Sequence, residues 1–409
     1  MRVGTGALLA ALALGAGGCT RDDPGQLLPG GGTAMCGPTT GSGTTKGTSA
    51  TTGAGTGGAT AGDAGAPSVL DQRVLDYNEA LRTASFKLVG NAPTLQQILD
   101  LSSASDKATA YAAMIDALLA DARFAARMVA FWQNTMRQGG AASGMQPSRD
   151  TAPTFAARIV FEGRPYTDLF TAAQHTCPTF DGKAFADGEC KNGPITAGIL
   201  TDPGIHFQYY GNMAFRRHRF IQEVFVCRAQ PAELSAKPVP MGAGQYTSPW
   251  PFESIAGADN GGTIDFHDTS SAICANCHST SNHRAPLLAN FDQNGQYQTS
   301  IQVHVPTSGL PLAKMSDWLP SGEPTAWRFG VPAADIGALG AAMAADPEVT
   351  SCAVRRMWNY AMSKGDIVND AADVPDSVIS ALVTQFAGNQ YNLREILRTI
   401  LVGPDFVRF

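Results

Sequence analysis

Tyr111-Ala-Ala-Met-Ile-Asp-Ala-Leu-Leu-Ala-Asp-Ala-Arg-Phe-Ala-Ala-Arg-Met-Val-Ala-Phe-Trp-Gln-Asn-Thr-Met136 is the stretch that decides the fold class. Its first half sets Tyr111, Met114, Ile115, Leu118 and Leu119 at helical spacing, which makes one face apolar. Its second half repeats the pattern with Phe124, Met128, Phe131, Trp132 and Met136. Asp121 between them is a short carboxylate ahead of an apolar run, which predicts an N-cap. Further on, Val354, Met357, Trp358 and Ala361 form another stripe, and Asn392 with Glu395 reads as a capping box before Leu393, Ile396, Leu397, Ile400 and Leu401. Strand-like alternation is sparse. The expected fold is mainly α.

Between these helical ends the chain changes character. From Cys177 to about Pro324 it is rich in Gly, Pro, Ser, Thr and Asn, with Phe215 to Cys227 its one good helical candidate. A long irregular region in a folded body usually wraps a ligand or is pinned by crosslinks. All seven histidines and five of the eight cysteines lie between His175 and His304.

The N-terminal segment is of another kind. Arg2, the apolar run Ala7 to Leu14 and Gly17-Gly18 read as a secretory signal, too short to span a bilayer. Cys19 directly follows, laid out as in bacterial lipoprotein cleavage sites, where the cysteine becomes the lipidated terminus. Residues 24–66 are Gly, Thr, Ala and Ser with almost no aliphatics, a tether spanning roughly 35–40 Å as a coil. Across all 409 residues only 16% are charged, below the ~25% usual in soluble domains. With 29 Lys+Arg against 35 Asp+Glu there is no basic field, which excludes an electrostatic nucleic-acid binder.

The chemistry concentrates at Cys274-Ala275-Asn276-Cys277-His278. C-x-x-C-H is the attachment signature of c-type haem: two thiols form thioethers to one porphyrin, and the adjacent histidine becomes the proximal iron ligand. Three rivals stand beside it: zinc on Cys274, Cys277, His278 and His283, a thioredoxin-like redox pair, and a plain structural disulfide or an empty remnant of the motif. Pro286, Leu287, Leu288 and Phe291 can line an apolar crevice, and the Pro286 carbonyl can accept the other N–H of His278, as in class I cytochromes c. Met315 follows at the order and distance of a cytochrome's distal methionine, with His304 and His283 as competitors and five-coordinate iron as a further option.

Of the remaining cysteines, Cys177 and Cys190 bracket a turn-rich loop and pair naturally, while Cys227 and Cys352 could staple the middle to the C-terminal unit. Cys36 is then left alone in the tether, and counting alone permits other pairings. Arg216-Arg217-His218-Arg219 is the one dense basic cluster, either a solvated helix face or a clamp for haem propionates or an acidic redox partner.

Several of these stretches resemble the planctomycete-type cytochrome c-like family of exported bacterial proteins. They are Tyr111 to Ala125, Arg164-Pro-Tyr-Thr-Asp-Leu-Phe-Thr-Ala, Gly198-Ile-Leu-Thr with Arg217-His-Arg-Phe-Ile and Cys227, Cys274 to Asp292, Trp358-Asn-Tyr-Ala-Met-Ser-Lys-Gly and Tyr391-Asn-Leu-Arg-Glu-Ile-Leu. The resemblance implies a haem c-like site on Cys274, Cys277 and His278 within a mainly helical body. Where that family carries Met-Asp-Pro-x-Gly-Phe after the histidine, this chain has Ser281-Asn-His-Arg-Ala-Pro.

The expected organisation is a signal peptide over 1–18, a lipidated Cys19 and tether over 19–66, and a helical unit over 67–176. An irregular cytochrome c-like haem region over 177–325 and a helical unit over 326–409 follow. The expected function is one-electron transfer by an exported, lipid-anchored protein with one haem c, facing a redox partner protein and a bacterial membrane, with no nucleic acid. The alternative is a non-redox surface lipoprotein whose disulfide-stapled body binds a protein or envelope polymer. A haem enzyme such as a peroxidase would instead need an open iron face beside an acid–base residue.

Overall fold

The last helix lies against the segment that decides the fold. Tyr111 sits in α3 (Lys107–Leu119), and its hydroxyl donates to the Leu401 carbonyl of α12 (Leu393–Val402) at 2.8 Å. The computed structural model describes residues 72–228, 240–241, 244–245, 280–305, 309–319, 322–328, 330–365 and 374–409. The signal and tether, Cys36 and the Cys274–His278 motif lie outside the described residues.

The elements in chain order are α1 (Tyr77–Val89), α2 (Leu95–Ser103), α3, α4 (Ala122–Met136), α5 (Thr151–Glu162), α6 (Asp168–Thr171), α7 (Pro203–Gln208), α8 (Phe215–Phe225), α9 (Ile336–Ala344), α10 (Pro347–Ala361), α11 (Asp376–Gly388) and α12. Strands among the described residues are short antiparallel pairs: Thr179–Phe180 with Phe185–Ala186, Pro240–Met241 with Gly244–Gln245, and Ala326–Arg328 with Val331–Pro332. The protein is mainly α.

Local sequence explains where the helices start. Asp76, Asp106, Asp121, Asp335 and Asp346 each accept a backbone N–H as N-caps, and Thr94 forms a reciprocal capping box with Gln97. Asn392 caps α12 by accepting from the N–H groups of Arg394 and Glu395, but the expected box is only half made. The Asn392 N–H already donates to Asn389 at 3.2 Å, so Glu395 has no donor to reach back for.

The core runs continuously from Ala80 to Val407. The apolar stripes of α3 and α4 face inward, with Ile115, Phe124, Met128 and Met136 fully buried. Each such side chain contributes about 1.5–3 kcal/mol of burial. Helix α5 packs on α4 and is buried almost all round, from Ala152 to Val160. It is a central helix. Two glycines permit close approaches to α6: a Cβ on Gly198 would meet the Leu169 carbonyl oxygen at 2.1 Å, and one on Gly340 of α9 would meet that of Phe170 at 2.2 Å. The chain ends of this body pair with each other, Val74 N–H to Phe409 O at 2.8 Å and Phe409 N–H to Val74 O at 3.0 Å.

Irregular segments in the middle need partners for backbone groups that no helix or sheet satisfies. Buried side chains supply them. Asn192 donates to the carbonyls of Thr201 and Gly295 and accepts the Tyr297 N–H, and Trp318 donates to the Met213 carbonyl at 3.1 Å.

Candidate functional site

The described chain resumes two residues after His278, in a helical turn at 280–284 followed by a 3-10 turn over Ala285–Leu288. Thr280, Ser281, Asn282, His283, Arg284, Ala285, Pro286 and Leu288 are all buried, and so is Phe291. The segment leaving the motif therefore goes directly into the core. Of the apolar residues expected to line a crevice, Pro286, Leu288 and Phe291 are buried and Leu287 is half-buried.

Two arginines anchor this segment. Arg217 on α8 donates through Nη1 to the Leu288 and Phe291 carbonyls at 2.8 and 2.9 Å. Its Nη2 reaches His206 and Asp292, and its Nε also reaches His206. All five guanidinium N–H groups are thus spent on backbone oxygens. Arg284 lies over the Trp327 ring, 3.8 Å from its centroid, and donates to the Trp327 carbonyl. The Trp327 indole in turn donates to Asp346 at 2.6 Å.

This corrects the reading of the basic cluster as one solvated face or one clamp. Arg216 and Arg219 are exposed, while Arg217 and His218 are buried. Arg219 pairs with Glu223 at 2.7 Å. The Arg217 guanidinium has no donor left for a propionate.

The candidate distal ligands fall in different surroundings. Met315 opens a 3-10 turn over Met315–Asp317 and is 48% exposed. His304 is exposed, with Nδ1 2.6 Å from the Leu310 carbonyl. His283 is buried with Nε2 3.0 Å from the Glu323 carboxylate, so that nitrogen is already engaged. The Pro286 carbonyl accepts the Ala289 N–H at 3.1 Å and keeps a second lone pair.

Cys177 is bonded to Cys190, and Cys227 to Cys352. Beside the first pair lies Asp202, which caps α7 through Oδ1 to the Ile205 N–H at 2.9 Å and takes the Thr151 hydroxyl on Oδ2 at 2.5 Å. Burial pushes its carboxyl up to about 6, against the Thr151 hydroxyl and the Ile205 and Gly204 N–H groups. Cys177, Cys190 and Asp202 bring ligand atoms within 4.8 Å of one another, but the two sulfurs are bonded to each other. Sequence reasoning missed Asp202, although Asp202-Pro203 is an N-cap followed by proline at the first helical position.

His206 was also missed. It stacks on Phe291 with centroids 3.5 Å apart, and its Nε2 donates to the Leu200 carbonyl at 2.7 Å. Burial, aided by Arg217, holds it well below the usual imidazole range, so it is a neutral wedge behind the anchored segment.

Comparison with known proteins adds one match. The family model PSCyt2, described as a protein of unknown function (DUF1549), matches residues 68–173, the stretch that holds α1 to α6. The chain is similar to that family there, and the match ends well before Cys274. No curated protein and no solved structure matches the chain. Among the described residues, no helix is long and apolar enough to cross a membrane.

Proposed function

We propose that this chain is an exported, lipid-anchored c-type cytochrome-like protein that carries one covalently bound haem and transfers single electrons. The observation that carries the reading is Cys274-Ala-Asn-Cys277-His278, set in a chain whose N-terminal helical part is similar to PSCyt2. Cys274 and Cys277 would hold the porphyrin through thioethers, and His278 would ligate the iron. Bound haem would supply a one-electron Fe(III)/Fe(II) couple.

The chain's own part is to hold and shield that site. Arg217 fixes the segment after His278 by its carbonyls, Arg284 ties that segment to the Trp327 carbonyl, and Leu288 and Phe291 are buried within it. Met315 is the leading sixth ligand on chain order, and its exposed thioether must turn inward to serve. Cys19 carries the lipid, and residues 24–66 tether the body to a bacterial membrane on its extracytoplasmic side. A redox partner protein completes the circuit.

The second reading, a non-redox surface lipoprotein with a stapled body, draws on the two disulfides. Absorption spectra of the chain exported from a host with haem c attachment machinery separate the two. A red protein with thioether-type haem bands supports electron transfer. A colourless one with Cys274 bonded to Cys277 supports the alternative.

A further inference from the structure

The two disulfides are chemically unlike. In Cys227–Cys352 both residues are buried, and the sulfurs lie near backbone carbonyls, Cys227 Sγ by Cys352 O and Cys352 Sγ by Val224 O, each at 3.7 Å. Among the described residues, no carboxyl is hydrogen-bonded to either one. In Cys177–Cys190 one sulfur belongs to a buried residue and the other to a partly exposed one at the end of a turn-rich loop. The buried sulfur, Cys177 Sγ, is 3.7 Å from Asp202 Oδ2. The Oδ1 of Asp202 is committed to the helix cap, while Oδ2, which also takes the Thr151 hydroxyl, is the oxygen facing sulfur.

We propose that Cys177–Cys190 is a redox-active disulfide, opened at Cys190 by an external dithiol, with Asp202 as the proton donor to the departing Cys177 sulfur. The thiolate of the dithiol attacks Cys190 Sγ and forms a mixed disulfide. The Cys177–Cys190 bond breaks, and its electron pair goes to Cys177 Sγ, which takes the Asp202 proton. The second thiol of the reagent then attacks the mixed disulfide and releases Cys190 as thiolate. The protein gains two electrons, and the dithiol is oxidised to a cyclic disulfide. In the reverse direction Asp202 takes the proton from Cys177. This chemistry is separate from the haem reading and stands without it.

Burial keeps the acid available near neutrality, since the Asp202 carboxyl is pushed up to about 6. The groups facing the pair are few. From α5 comes the Thr151 hydroxyl, and on α7 His206 is held neutral. On the loop side His175 lies by Asp187 and Glu189, and Arg158 pairs with Asp187. Arg149 is turned to Gln208.

The test treats the full chain with dithiothreitol or reduced glutathione, traps thiols by alkylation and reads each disulfide by mass spectrometry. Cys177–Cys190 opens at least about tenfold faster than Cys227–Cys352, and glutathione is found on Cys190. Asp202→Asn keeps a good N-cap and removes the proton donor. At pH 5 it slows opening about tenfold, and the deficit disappears by pH 8, where the wild-type carboxylate is ionised. Cys227–Cys352 in the same molecules reports whether the fold was disturbed. Glutathione on Cys177 instead, or identical pH profiles for wild type and Asp202→Asn, would overturn the proposal. The adduct position is read on the wild type and needs no variant.

Discussion

Arg217 Nη1 donates to the carbonyl of Leu288 at 2.8 Å, joining α8 to the segment that follows the Cys274–His278 motif. A cation buried among carbonyls, with every N–H used, fixes backbone positions that no helix or sheet could fix.

That arrangement makes Arg217 intolerant of change. Arg217→Ala takes the guanidinium donors from the His206, Leu288 and Phe291 carbonyls, while the Asp292 carbonyl keeps the Gly295 N–H, and is expected to cost about 3–5 kcal/mol. Arg217→Lys supplies a single ammonium in place of a planar fork and recovers only part of it. Denaturant unfolding of the three proteins measures the loss. A change under about 1 kcal/mol for Arg217→Ala would contradict the role.

Cys227 and Cys352 are 125 residues apart in sequence and join α8's C-terminal end to α10. Closing so long a loop restrains the unfolded chain, and replacing both cysteines by Ala is expected to lower stability by about 3–5 kcal/mol. Thermal unfolding of the oxidised wild type against the double variant checks it, and equal midpoints would refute it.

Asp202 gives a stability difference that varies with pH. Its folded pKa, pushed up to about 6, lies above the ordinary 3.8, so the native state holds this proton more tightly than the unfolded chain. That contribution is fully present below about pH 4 and is lost as pH rises through about 6. Asp202→Asn has no such proton to lose. From pH 4 to pH 7 the variant is therefore expected to gain on wild type by on the order of 2–3 kcal/mol. A constant difference across that range, read by urea unfolding, would rule the effect out.

How far sequence reached depended on how local each signal was. Asp121, the stripes of α3 and α4 and the Asn392 cap are set within a few residues, and all are seen in the fold. Helix α5 left no stripe because it is buried nearly all round, so its apolar residues carry no period to detect. The α8 helix stops at Phe225, ahead of Cys227, which takes a positive φ of 56°. Arg216-Arg217-His218-Arg219 was unreadable for a different reason. Which two of four polar neighbours go inside is settled by carbonyls brought from residues 288–292, far along the chain. Asp202 likewise gains its chemical interest only when folding sets it against Cys177.

The central claim is covalent haem on Cys274 and Cys277, and the intact mass under denaturing conditions tests it most directly. The full chain is exported from a host with haem c attachment machinery, as wild type and as the Cys274→Ala, Cys277→Ala double variant. The account predicts a wild-type mass increased by exactly one haem and a double variant at the bare polypeptide mass. A wild type without added haem, or a double variant that keeps haem covalently bound, would contradict it.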